Sequence, residues 1–183
     1  AEAKFMRALH YFHLLDFYGG VPLYDETTVV DQEFMNMKKP RTTAEETKKF
    51  ILDDLDEAVN VLPVKWGSSD YGRATRGAAV ALRGKVKLYT KDFAGAKADF
   101  EEIVKDPQGR DYGYRLNDSY PDLFTLEADQ SAEMIFSIQC VNGADNEYGL
   151  AYCLRLGSRA AFGGCWNNNM PTDILADMYE YKD

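Results

Sequence analysis

Residues 72–106 read GRATRGAAVALRGKVKLYTKDFAGAKADFEEIVKD, and they confine the chain to paired helices. Thr75 is placed to cap a helix in which Ala78, Leu82, Val86 and Tyr89 share one face, at spacings of four, four and three. Gly77, Ala78, Ala79 and Ala81 keep that helix thin, so a neighbouring backbone can approach closely. Asp92 is placed as the next cap, and Phe93, Ala96, Phe100 and Ile103 return at spacings of three, four and three. Asp106-Pro107 ends the second helix, because the residue before proline is pushed out of the helical region.

Small residues on one helix, a tight turn, then a stripe of Ala and Phe describe a tetratricopeptide-type hairpin. The start of the chain repeats the plan in degenerate form. AEAKFMRALHYFHLLDFYG has an apolar face of Phe5, Ala8, Leu9, Phe12 and Leu15, and Gly19-Gly20 stops it. No cap precedes Ala1, so the chain is expected to begin inside a helix cut from a longer protein. Val21 to Tyr24 leaves in extended form, and 25–41 is expected to be a long ordered loop. Thr42 or Thr43 then opens a capping box with Glu45 or Glu46. Ile51, Leu55, Ala58 and Leu62 form the buried stripe of this helix, Asp53 to Glu57 a solvated acidic face, and Pro63 the stop.

Beyond residue 106 the character changes. Tyr112, Tyr114, Tyr120 and Phe124 fall in a loop-rich stretch, and EMIFSIQCV alternates like a strand through Met134, Phe136, Ile138 and Cys140. Residues 142–170 are rich in Gly and Asn and show no regular period. Pro171-Thr172-Asp173 opens a last helix with Ile174, Leu175, Met178 and Tyr179 as its packed face. The expected fold is mainly α: tetratricopeptide-like hairpins over about 1–63 and 72–106, long irregular loops and a minor strand. We expect one domain over 1–183, with 107–183 as its loop-rich, ligand-side segment.

Composition removes several function classes. A net charge of −9 argues against a phosphate-backbone ligand, so no nucleic-acid partner is expected. No run of about 18 apolar residues spans a bilayer, and no basic stretch followed by an apolar core suggests a signal peptide. Cys140, Cys153 and Cys165 match no zinc spacing and cannot all pair, so free thiols are expected. His10 and His13 lack a nearby acidic third ligand and are assigned to packing and surface; no metal and no cofactor is expected. Nucleophile elbows and phosphate-cradling loops are missing, and acidic pairs do not discriminate in a chain with 30 acidic residues.

The order of motifs resembles the SusD/RagB-like family. AEAKFMRALHYFHLLDFYGGVPLY is similar to its opening helix, and GRATRGAAVALRGKVKLYTKDFAGA to its most recognisable stretch. YRLNDSYPDLFTLEADQSAEMIFSIQ and PTDILADMYEYKD follow in the family's order. The resemblance implies a surface-exposed outer-membrane lipoprotein that binds oligosaccharides and delivers them to a SusC-like TonB-dependent transporter. Its membrane association would run through an N-terminal lipid anchor outside this sequence. It implies no catalytic step. The rival expectations are a helical-repeat protein–protein adaptor and, less favoured, a glycoside hydrolase.

Sugar sites set flat aromatic faces against pyranose rings and place amides or charged groups on hydroxyls. RAAFGGCWNNNM offers that set: Arg159, Phe162, Trp166, Asn167, Asn168 and Asn169 among glycines. The competing reading makes Trp166 a plug of the core and the asparagines turn residues. Trp66 and Tyr71, in the loop before the Gly72 hairpin, are the second candidate, against a role in capping the core. Tyr18 and Tyr24 are read as structural.

Overall fold

The computed structural model describes residues 1–28, 38–125, 128, 131–138 and 172–178. The chain divides into two compact units, Ala1–Ser137 and Ile138–Asp183. The first holds α1 (Glu2–Tyr18), α2 (Ala44–Val61), α3 (Arg76–Tyr89) and α4 (Phe93–Lys105). Each helix packs on the next in sequence, which is the stacking expected of consecutive hairpins. In the second unit, α5 (Asp173–Asp177) is the described helix.

The caps form where the sequence places them. Thr43 accepts from the Glu46 N–H while Glu46 reaches back to the Thr43 N–H, a complete capping box. Thr75 accepts from Ala78, and Asp92 from Gly95. Gly19, at φ 69, ends α1 in a backbone region that glycine enters without strain. Phe5, Ala8, Phe12, Ile51, Leu55, Ala58, Val80 and Val86 build the core, each at most 4% exposed. Leu9 and Leu15 pack against it, partly buried.

Several expectations are corrected. Tyr89 is 58% exposed and Phe93 63%, because both flank the turn that closes the α3–α4 hairpin. Tyr89 is held by the edge of Phe12, with ring centroids 5.5 Å apart. Phe100 is half-buried. The close approach to Gly77 comes from the Tyr114 side chain, and Gly84 receives the Phe100 ring. Asp106 stops α4 in the left-handed region, φ 42, where its carboxylate accepts from the Arg110 and Asp111 N–H groups. That side-chain capture overrides the extended conformation usual before proline.

The acidic run on α2 is not a solvated face throughout. Asp54 is buried and accepts two bonds from Arg7, while Asp56 pairs with Arg83 and Glu57 with Lys4. A second knot ties α3 to α4: buried Asp99 accepts from Arg83 and pairs with Lys87 at 2.8 Å. Burial of a charge is tolerated here because each carboxylate meets more than one donor.

The minor strand is not formed over its described residues. At its start the Met134 N–H closes a turn on Ser131, and no second strand is present among the described residues to pair with it. In α5, Ile174 and Met178 are 75% and 76% exposed, so the expected packed face is not made by them. Five residues are little more than one turn, too short to present a continuous stripe.

Candidate functional site

The site is built by the link between α2 and α3. Pro63 ends α2, its carbonyl accepts the Arg76 N–H, and the chain between them makes a short 3-10 turn at Ser68–Asp70. Gly72, at φ 93, then turns the backbone in a conformation that favours glycine and feeds it to the Thr75 cap. This path sets Trp66 and Tyr71 in the lining of a cleft of about 240 Å³. Tyr112, Tyr114, Met134 and Phe136 complete its wall.

Trp66, Tyr112 and Tyr114 are fixed by polar tethers. The Trp66 indole N–H donates to the Ala74 carbonyl at 2.7 Å, which locks the ring plane. The Tyr114 hydroxyl lies 3.2 Å from the Thr75 hydroxyl. Its ring crosses Gly77 so closely that an added Cβ would come within 2.5 Å of the hydroxyl oxygen. Tyr112 stacks on Tyr114, with ring centroids 6.1 Å apart and planes 11° from parallel. The Tyr112 hydroxyl donates to Glu102 at 2.8 Å and accepts from Arg76. Phe136 meets Phe5 edge-on and so anchors the far wall to the core.

Charge at the cleft is balanced. Lys65 pairs with Asp111 at 2.8 Å, and Arg73 pairs with Glu2 and with Asp70. The hydrogen bond from Arg73 holds the Glu2 carboxyl below its usual range. Burial pushes the Tyr114 hydroxyl up, and burial followed by Glu102 does the same to Tyr112. Both phenols are therefore neutral hydroxyls at physiological pH, able to donate or accept.

Of the residues singled out from sequence, the structure brings Trp66 and Tyr71 together. Arg159, Trp166, Asn167 and Asn168 lie outside the described residues, as do the three cysteines. His10 and His13 are exposed on α1. Tyr18 is 64% exposed, and Lys39 lies over the Tyr24 ring at 5.1 Å. Arg73, Tyr112 and Tyr114 also line the cleft, and residue pattern did not mark them as candidates. The alternation of tyrosines in Tyr112-Gly113-Tyr114 was the available signal, and Gly77, small enough to seat an aromatic ring, was the other half of it.

Comparison with known proteins gives a consistent set. Residues 1–88 match a SusD-like family described as starch-binding and associating with the outer membrane. A SusD-like protein of Bacteroides ovatus is 31% identical, over 100% of this chain and 34% of its own length. A laminarin-binding SusD-like protein of known structure is 34% identical at a TM-score of 0.65, covering 74% of this chain and 29% of that one. Surface glycan-binding protein A of Bacteroides thetaiotaomicron, solved in complex with laminarihexaose, is 26% identical at a TM-score of 0.59, over 74% and 26% of the two chains. The chain spans between 20% and 36% of the length of the curated relatives it matches.

Proposed function

The chain belongs to the SusD/RagB-like family, and from that premise we propose that its protein binds neutral oligosaccharides at the cell surface and hands them to a SusC-like TonB-dependent transporter. Binding, without a catalytic step, is the proposed activity. The observation that carries it is the aromatic cleft, where Trp66, Tyr71, Tyr112 and Tyr114 line one small space with neutral hydroxyls between them. Such a surface suits the apolar face of a pyranose and its rim of hydroxyls.

The preference for a neutral sugar follows from charge. Lys65 and Arg73 are both paired with carboxylates, so among the described residues no cation of the cleft is left over for a uronate or sulfate. At about 240 Å³ the space is small beside the roughly 300–1,000 Å³ of ordinary ligand pockets, which suits one ring of a chain held elsewhere. The loop with Arg159, Trp166, Asn167 and Asn168 is proposed as a separate sugar-binding surface.

Electrophoresis through gels containing laminarin, starch or an acidic polysaccharide tests the reading. Retardation by a neutral glucan supports it; equal mobility in every gel sinks it in favour of a protein-binding adaptor. Release of reducing ends on long incubation would identify a hydrolase instead.

A further inference from the structure

Trp66 lines the cleft, yet one face of its indole is already occupied. The Arg73 guanidinium carbon lies 3.7 Å from the centre of the Trp66 ring, which is stacking distance. A sugar ring laid on that face would have to take the same place. We infer that Arg73 is the gate of the cleft, and that a pyranose stacks on this face of Trp66 only after the guanidinium swings aside. The inference rests on the glycan reading of the cleft and names the residue that sets its affinity.

The geometry distinguishes a gate from a ligand-holding arginine. Arg73 turns its N–H groups away to carboxylates: Nε to Glu2 at 3.1 Å, Nη2 to the other Glu2 oxygen, and Nη1 to Asp70 at 3.0 Å. What remains toward the indole is the flat face, which blocks rather than donates. The anchors are also weak ones. Arg73, Glu2 and Asp70 side chains are 42%, 36% and 43% exposed, so both ion pairs are screened by solvent and weakened by salt. Opening requires only rotation of the side chain, because the Arg73 N–H stays bound to the Asp70 carbonyl at 3.3 Å. The two anchors lie on different elements, Glu2 at the start of α1 and Asp70 in the 3-10 turn, so the gate is held shut from both sides of the loop.

Two measurements test it. With Trp166→Phe, Trp66 is the one tryptophan left in the chain, and its quenching by acrylamide reads the exposure of the indole. Adding Arg73→Ala should raise the quenching constant, because the stacked cation that shields the indole is removed. Equal quenching with and without Arg73 overturns the gate, whatever the ligand. The second measurement is calorimetric titration of laminarihexaose into otherwise wild-type protein and its variants. Arg73→Ala should bind about ten-fold tighter, the factor that corresponds to 1.4 kcal/mol. Glu2→Gln, which loosens one anchor and touches neither ring, should give a smaller gain in the same direction. Weaker binding by Arg73→Ala would make Arg73 a ligand contact and overturn the gate, and so would no gain, including no binding by either protein. Trp66→Ala separates the two levels. If it abolishes binding while Arg73→Ala changes nothing, the gate alone fails; if it binds like wild type, the cleft reading fails with it.

Discussion

Arg7 on α1 and Asp54 on α2 form a two-toothed ion pair, Nε to Oδ2 at 2.7 Å and Nη2 to Oδ1 at 2.6 Å, with Asp54 only 4% exposed. It joins the two helices of the first hairpin across the segment that separates them in sequence. Arg7 also stacks on Phe50, 4.7 Å from the ring centre, and reaches Glu26 beyond α1. Removing the carboxylate leaves a partly buried guanidinium with one exposed partner. Asp54→Ala should therefore cost about 3 kcal/mol in urea unfolding, the low end for breaking a buried pair. Replacing both residues by apolar ones, Arg7→Met with Asp54→Leu, should cost less than the single change. A double variant as unstable as Asp54→Ala would show that the pair itself, not the orphaned charge, holds the hairpin.

Gly84 and Phe100 form the corresponding joint of the second hairpin. A Cβ at Gly84 would lie 2.7 Å from the Phe100 ring, so alanine there gains helix propensity but displaces the ring. Overpacking costs about 1–3 kcal/mol and the propensity gain is about 1, so Gly84→Ala should be destabilising by roughly 1 kcal/mol. Adding Phe100→Leu should recover part of that loss. Phe100→Ala alone should fall below the roughly 3–5 kcal/mol of a fully enclosed phenylalanine, because Phe100 is half-buried.

Acid should weaken the first hairpin in a defined window. The Glu26 carboxyl is held at about 2 against its ordinary 4.5, by its own backbone N–H first, then by Arg7 and Lys4. Glu46 is lowered by the Thr43 N–H of the capping box. Both carboxyls are depressed in the folded state, so their stabilisation is complete above 4.5 and is lost as pH falls below it, for Glu26 toward 2. The urea midpoint should decline across that window. Glu26→Gln should lower the midpoint at pH 7, leave it unchanged near pH 2, and so flatten the decline between them.

Docking on the proposed transporter is expected to use the α3–α4 face. Phe93 and Val104 are 63% and 83% exposed there, and Leu88 adds to the same apolar surface. Phe93→Asp with Val104→Asp should leave the melting temperature within a few degrees, since exposed positions carry little stability. The same pair of changes should abolish co-purification with a SusC-like barrel. Retained co-purification would move the docking face elsewhere.

The helical half was legible because periodicity, caps and breakers agreed. Thr43, Thr75 and Asp92 each cap as their side-chain chemistry requires, and Ile51, Leu55, Ala58 and Val86 are buried at the expected spacing. What escaped depended on contacts far apart in sequence. Asp54 reads as one acid in an acidic run until Arg7, 47 residues earlier, is placed beside it. Tyr114 reads as a loop tyrosine until Gly77 is seen to seat it. Of the site, Trp66 and Tyr71 could be named from residue type and loop position, but Arg73 could not, because its Glu2 anchor lies 71 residues earlier at the start of α1. Asp106 shows the opposite failure, a local rule overridden by an equally local side-chain bond.

Titration of Trp66→Ala tests whether the Trp66 cleft holds a neutral sugar. Loss of the Trp66–Ala74 hydrogen bond costs about 1 kcal/mol and should leave the protein folded, which a melting curve checks. A central aromatic anchor is worth about 2 kcal/mol or more, so laminarihexaose should bind Trp66→Ala about thirty-fold more weakly than wild type. Equal affinity in a folded Trp66→Ala protein would exclude a sugar held on Trp66.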